Sequence, residues 1–450
     1  MAPLPTGALN RLADAIAIAT ISYDDRDAVD REAFSAFHDL LEQSFPRLHR
    51  TLLREVVAEH SLLYCWPGSD PDLEPILFMS HIDVVPIEAG TEEDWTHPPF
   101  GGVLAEGHVW GRGTIDTKST LMAVMEAIES LLEAGMNPRR SVYLAFGHDE
   151  EVGGAKGGAA IVALLRRRGV RFEFVLDEGG AVVSGQMFGI APSVAAVGTA
   201  EKGMVNVELS THGDQGHASM PRADNATSRL CRAVTKVEAS PYPLRMTATM
   251  ASLLAQLADH MPWPRRMLLK NLWLFEHWVV RELARDPAMA AAMHTTQATT
   301  MLEGSSKANT LASRARAVVN VRLLEGDDSA GVMARLKRTI DDPKVELRLM
   351  DELGRSEPVS PSSIEAPAFG ALRETVAELF PDAVIIAHTV AGATDSRQFA
   401  PLCDNIYRFA PMRLRADDLC RIHGTNERLS FENYRTMVAF FRALVTRCVS

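Results

Sequence analysis

The sequence predicts an α/β protein: a mostly parallel mixed sheet with helices on both faces, interrupted by a smaller α+β unit. Three observations carry that expectation. Short apolar runs alternate with segments of helical period from about residue 75 to residue 176. Near residue 200 the pattern changes to apolar–polar alternation, the mark of a sheet with one wet face. After the Pro- and Ser-rich run DELGRSEPVSPSS, apolar α/β character returns. The expected organisation is a principal unit built from residues 1–199 and 355–450, with residues 200–354 inserted.

Each element has a local reason. PILFMS (75–80) is a short apolar run bounded by Pro75, as buried strands are. Over 117–134, Leu121, Val124, Met125, Ile128, Leu131 and Leu132 fall at helical spacing, and Gly135 stops the helix. SVYLAFG (141–147) and FEFVL (172–176) read as strands. Residues 155–168 read as a helix that ends in three arginines, where the helix dipole favours cations. GMVNVELST (203–211) and RAVVNVRLL (316–324) alternate. Helical stretches are expected at 224–237, 246–284, 328–340 and 430–447, and strands at 344–350 and 384–387.

Composition bounds the function. The 450 residues carry 58 acidic and 46 basic side chains, a net charge of −12. That balance disfavours general nucleic-acid binding, which needs a basic footprint. Five scattered cysteines with no CxxC pair read as reduced thiols of a cytoplasmic protein. Asp14 breaks the only leader-like stretch, and no run of about eighteen apolar residues predicts a membrane span.

Three predicted strands end alike. FMS runs into His81 and Asp83, YLAFG into Glu150 and Glu151, and FEFVL into Asp177 and Glu178. In open α/β sheets, ligands bind at the carboxyl ends of strands. Asp116 stands where a loop enters the long helix, and His423 precedes the last one. Crowded carboxylates raise one another's pKa, and a cation is the simplest compensation.

The ordered set HID, WTHPPFGG…GHVWGRGTIDTK, DEEVGG, LDEGG, GHAS, AGATDSRQF and IHGTNER resembles the co-catalytic dizinc amidohydrolases. That family includes aminoacylases, glutamate carboxypeptidase and succinyl-diaminopimelate desuccinylase. LDEGG, with residues 304–328, looks most like the carboxypeptidase S branch and its N-fatty-acyl-amino-acid hydrolase relatives. The resemblance implies a dizinc exopeptidase fold whose insert, 200–354, is a lid and dimerisation domain. It implies two divalent ions, Zn²⁺ first, with Co²⁺ or Mn²⁺ able to serve. His81 and the acid at Glu178, or its neighbour Asp177, would hold one ion. Glu151 and His423 would hold the other, and Asp116 would bridge. Asp83 would receive the His81 N–H. Glu150 would be the general base. His217 would stabilise the oxyanion, often across a dimer interface. Asn309 and Arg322 would bind substrate, and Gly392 would offer a backbone N–H where only a small residue fits. A cis peptide after Asp116 is also implied. One departure is Ala312, where the family usually carries Pro.

The expected activity is metal-dependent hydrolysis of amide bonds in small peptides or N-acyl amino acids with a free carboxylate. The alternative is a catalytically silent, metal-binding dimeric scaffold. Every expected ligand and base position is filled, which favours the enzyme. The apolar stretch 246–300, with Trp263, Trp273 and Phe275, is expected to be lid core, an acyl-chain wall or a partner surface.

Overall fold

A computed structural model describes residues 4–221, 224–350 and 355–449. The expected end of the insert, at 354, lies outside the described residues. Among those described, ten strands form one twisted mixed sheet. At its centre Val142–Gly147, Ile76–His81, Phe174–Asp177 and Ile406–Arg408 run parallel side by side. Their side chains are almost wholly buried, which is why these runs are apolar without alternation. Leu53–Val57 and Ser61–Trp66 form an antiparallel hairpin on one edge. The helices Lys118–Glu133 and Phe431–Val449 pack against one another under the sheet, and Phe441 meets Phe78 edge-on.

The segment 203–350 contains a second sheet of four antiparallel strands. Arg314–Leu323 and Gly203–His212 pair at its centre, flanked by Thr296–Glu303 and Val345–Met350. The alternation is the reason for its two faces. Val205, Val207, Leu209, Ala317, Val319 and Val321 are buried beneath the helices Ala226–Glu238 and Ser329–Ile340. Met204, Asn206, Asn320 and Arg322 lie on the opposite face.

The stretch expected to be helical over 246–284 is three helices: Ala248–Ala258, Trp263–Lys270 and Leu272–Leu283. Pro262 and Pro264 explain the first break, since a ring nitrogen cannot donate to the ladder. These helices lie within the expected insert, yet Met250, Leu253, Leu254, Leu257, Val279 and Val280 join the large core of the principal sheet. Ala248–Ala258 packs on the strand Ala383–Val390. Among the described residues no helix is long and apolar enough to cross a membrane.

Candidate metal centre

Strand ends and two loops bring the candidate ligands together. His81 closes the strand Ile76–His81, and its Nε2 lies 3.0 Å from Asp116 Oδ1 and 3.2 Å from Glu178 Oε1. His423 Nε2 lies 3.1 Å from Asp116 Oδ2 and 3.1 Å from Glu151 Oε2. Asp116 therefore gives one oxygen to each side. Two three-residue groups share it: His81, Asp116 and Glu178, and Asp116, Glu151 and His423. The peptide from Asp116 to Thr117 is cis, as the resemblance implies.

Of the two neighbouring acids, Glu178 faces His81 and Asp177 does not. Adjacent residues on an extended chain point to opposite sides. Asp177 Oδ2 instead accepts the Ser396 N–H at 3.1 Å. Asp83 differs from expectation. His81 Nδ1 meets the Asp83 backbone carbonyl at 2.8 Å, and the nearer carboxylate oxygen is 3.5 Å away. The strand ends at His81, and the turn beyond it brings the carbonyl under the ring. A carbonyl at Nδ1 favours the tautomer whose Nε2 lone pair faces the acids. The Asp83 carboxylate accepts from the Ser22 hydroxyl and from the backbone N–H groups of Glu150 and Glu151. It thus positions the loop that carries both.

The donor chemistry fits divalent cations. Glu151 Oε1 is buried with no hydrogen-bond partner. Burial and the nearby Asp116 charge push the Glu178 carboxyl up to about 8. Burial raises Glu150 well above the usual carboxylate range. Burial opposes the Asp116 charge, but hydrogen bonds from His423 and His81 hold its pKa below the ordinary value. Hydrogen bonds to Asp116 and Glu151 raise His423 to about 10. Such a cluster relieves its repulsion by taking protons or by taking cations, and imidazole with carboxylate is a proper donor set for Zn²⁺.

A cavity of about 810 Å³ opens on this cluster. Glu150, Arg322 and Gly392 line it. The expected steric reason for Gly392 does not hold: a Cβ there would meet open space within 4 Å. His217 and Asn309 do not line the cavity. They sit on an exposed ribbon where Gly216–His217 pairs with Thr310–Leu311, and the Ala218 N–H donates to the Asn309 carbonyl at 2.9 Å. The apolar stretch 246–300 is absent from the lining as well. Val183, Met187, Phe188, Met412, Leu414 and Ile422 build the apolar wall instead.

Sequence reasoning missed four residues. Glu427 is fully buried and accepts the N–H groups of Gly113, Ile115 and Asp116. Arg112 pairs with it at 2.6 Å and also donates to the His423 carbonyl. Arg397 and His388 line the cavity. Arg112, Arg397 and Glu427 each left a usable signal, a charged residue inside the GRGTIDTK, AGATDSRQF and IHGTNER runs, and His388 left none. Gly154 nearby has φ +66°, and a Cβ there would lie 1.7 Å from Asp395 Oδ1, so the DEEVGG turn needs its second glycine.

Residues 77–447 match the family described as peptidase family M20/M25/M40. The chain belongs to that family. It is 38% identical to the probable carboxypeptidase S-like 2 of Dictyostelium discoideum, over 97% of this chain and 84% of that one. It is 37% identical to the human N-fatty-acyl-amino acid synthase/hydrolase PM20D1, over 96% of this chain and 86% of that one. Among solved structures, the M20 family metallo-carboxypeptidase Sso-CP2 from Sulfolobus solfataricus superposes with a TM-score of 0.70 at 17% identity, covering 97% and 98% of the two chains. That likeness speaks for the fold. The M20 chain is a metal-dependent hydrolase of amide bonds in small peptides or N-acyl amino acids bearing a free carboxylate. The family and the carboxypeptidase S branch are those the motifs resembled.

Proposed function

We propose that the preferred substrates are N-acyl amino acids with an extended apolar acyl group, cleaved in a two-zinc site. The observation that carries this reading is the polarity of the cavity. The guanidinium-bearing residues Arg322 and Arg397 line it together with the apolar wall, and the acidic cluster stands in the same space. Burial, and then the Arg397 charge, lower the Arg322 pKa, so an anion between them would relieve both. His81, Asp116 and Glu178 would hold one Zn²⁺, and Asp116, Glu151 and His423 the other. When bound, such ions supply Lewis acidity to the scissile carbonyl and to the attacking water.

Glu150 takes the proton from that water and delivers it to the leaving amine. Its place on the cavity lining, beside Glu151 in the chain, suits both halves of the task. Arg322 and Arg397 hold the carboxylate of the amino-acid end. The wall from Val183 to Ile422 takes the acyl end. His217 and Asn309 act from a second copy of the chain, which brings their exposed ribbon over the cavity. Five unpaired cysteines support a cytoplasmic setting.

The test is kcat/KM against acyl length for N-acyl derivatives of one amino acid. A buried CH₂ contributes about 0.8 kcal/mol, so each added methylene should raise kcat/KM about three- to fourfold until the wall is filled. A flat profile, or faster cleavage of dipeptides with polar first residues, would overturn the acyl assignment.

A further inference from the structure

We infer that the paired helices Trp263–Lys270 and Leu272–Leu283 form a docking face for an anionic phospholipid surface. This goes beyond the proposed substrate and does not depend on it. The face is inverted relative to an ordinary surface helix. Val279 and Val280 are buried, and Leu269, Leu272 and Phe275 pack on the core, yet the outer side is apolar as well. Trp263 is 74% exposed, Trp273 81%, Trp278 54%, Leu274 60% and Met267 48%. These are five of the fourteen large exposed apolar side chains among the described residues, and all fall within sixteen consecutive positions. Such a cluster is costly in water unless something covers it.

Charge selects the occupant. Over 263–283 the two helices place Arg265, Arg266, Lys270 and Arg281 against Glu276 and Glu282, a local excess of positive charge in a protein whose net charge is −12. Asp259 pairs with Arg266 and Lys270, while Arg265 and Arg281 make no ion pair among the described residues. Tryptophan with arginine and lysine is the composition that settles at a lipid headgroup boundary, with rings among the acyl carbons and cations at phosphates. A second copy of the same face would set its cations against identical cations. The face also adjoins the cavity. Arg265 Nη1 lies 3.1 Å from the Cβ position of Gly189, and the preceding Met187 and Phe188 line the apolar wall. A bilayer on the helices would therefore lie beside the mouth through which an apolar acyl chain enters.

Tryptophan fluorescence reads the contact directly. Of the six tryptophans, Trp66, Trp95 and Trp110 are buried, so the other three dominate any response to added vesicles. The full-length protein is titrated with phosphatidylcholine vesicles and with phosphatidylcholine–phosphatidylglycerol vesicles, and binding is checked by co-sedimentation. The anionic vesicles should shift emission to the blue and carry the protein down, less so at high salt. Replacing Trp263, Trp273 and Trp278 by Ser should weaken binding about tenfold or more, and Arg265→Glu with Arg281→Glu should abolish the anionic preference. Turnover of a short soluble substrate should stay at the wild-type rate in both variants, because none of these side chains lines the cavity. No sedimentation with either vesicle would overturn the inference. So would a dimer, seen by analytical ultracentrifugation, that the triple Trp variant dissolves, because the face would then belong to a second copy.

Discussion

His388 shows how one side chain can be unreadable in sequence and consequential in the fold. Its ring lines the cavity, its Nδ1 meets the Thr389 carbonyl at 3.2 Å, and its buried Nε2 has no partner. Burial lowers its pKa from 6.5 to about 4. Between those values the unfolded chain binds a proton here that the folded protein does not. The stability that His388 contributes is present above about pH 6.5 and is lost as the pH falls towards 4. The loss is about 3 kcal/mol. Denaturation curves for wild type and His388→Gln, measured across that window, should converge as the wild type loses this increment. Parallel curves would mean the imidazole is open to protons in the folded state. Nothing in TVAGA-like surroundings marks such a residue, since orphaning and burial are properties of the packed neighbours. His81 was legible only because its HxD spacing at a strand end gave it context.

At the scale of elements, the site depends on a clasp between two distant segments. Glu427 accepts three N–H groups from residues 113–116 at 2.7–3.2 Å and pairs with Arg112, which in turn holds the His423 carbonyl. The loop with Asp116 and the loop with His423 are thereby tied together. Glu427→Gln keeps the shape but strips the buried Arg112 of its counter-charge. Breaking a buried pair from one side costs about 3–5 kcal/mol. The metal-free variant should show that loss in urea denaturation, together with weaker metal uptake. An unchanged midpoint would show that the amide satisfies Arg112. Strand and helix positions were legible at this scale because the periods of 2 and 3.6 report burial directly. The clasp was not, since it joins residues more than 300 positions apart through hydrogen bonds that leave no period.

At the scale of the molecule, the position of His217 and Asn309 decides how many chains one site needs. Both lie on the exposed ribbon and outside the cavity of their own chain. On the proposed reading they serve a partner's site. Glu150→Gln alone should lose about 10²–10⁴-fold in kcat, and His217→Ala should fall steeply as well. Co-expressed, the two variants should recover about a quarter of wild-type activity, because random pairing makes half the dimers mixed and each mixed dimer has one complete site. No recovery would mean that His217 acts within its own chain or not at all.

The sequence alone determined the α/β class, the strands that end in acids and histidines, the two-faced sheet and, through an ordered set of motifs, the family. These features are local: burial period, turn chemistry and ligand type are written in neighbouring residues. Only the tertiary structure decided that Glu178 rather than Asp177 faces His81, that the Asp83 carbonyl rather than its carboxylate meets the ring, and that Glu427 anchors the loop carrying Asp116. It also decided that the apolar stretch after residue 246 faces the core and solvent instead of the cavity. Those outcomes turn on which way a side chain points when remote segments meet. That direction is set by packing and hydrogen-bond satisfaction across the fold, which no window of sequence contains.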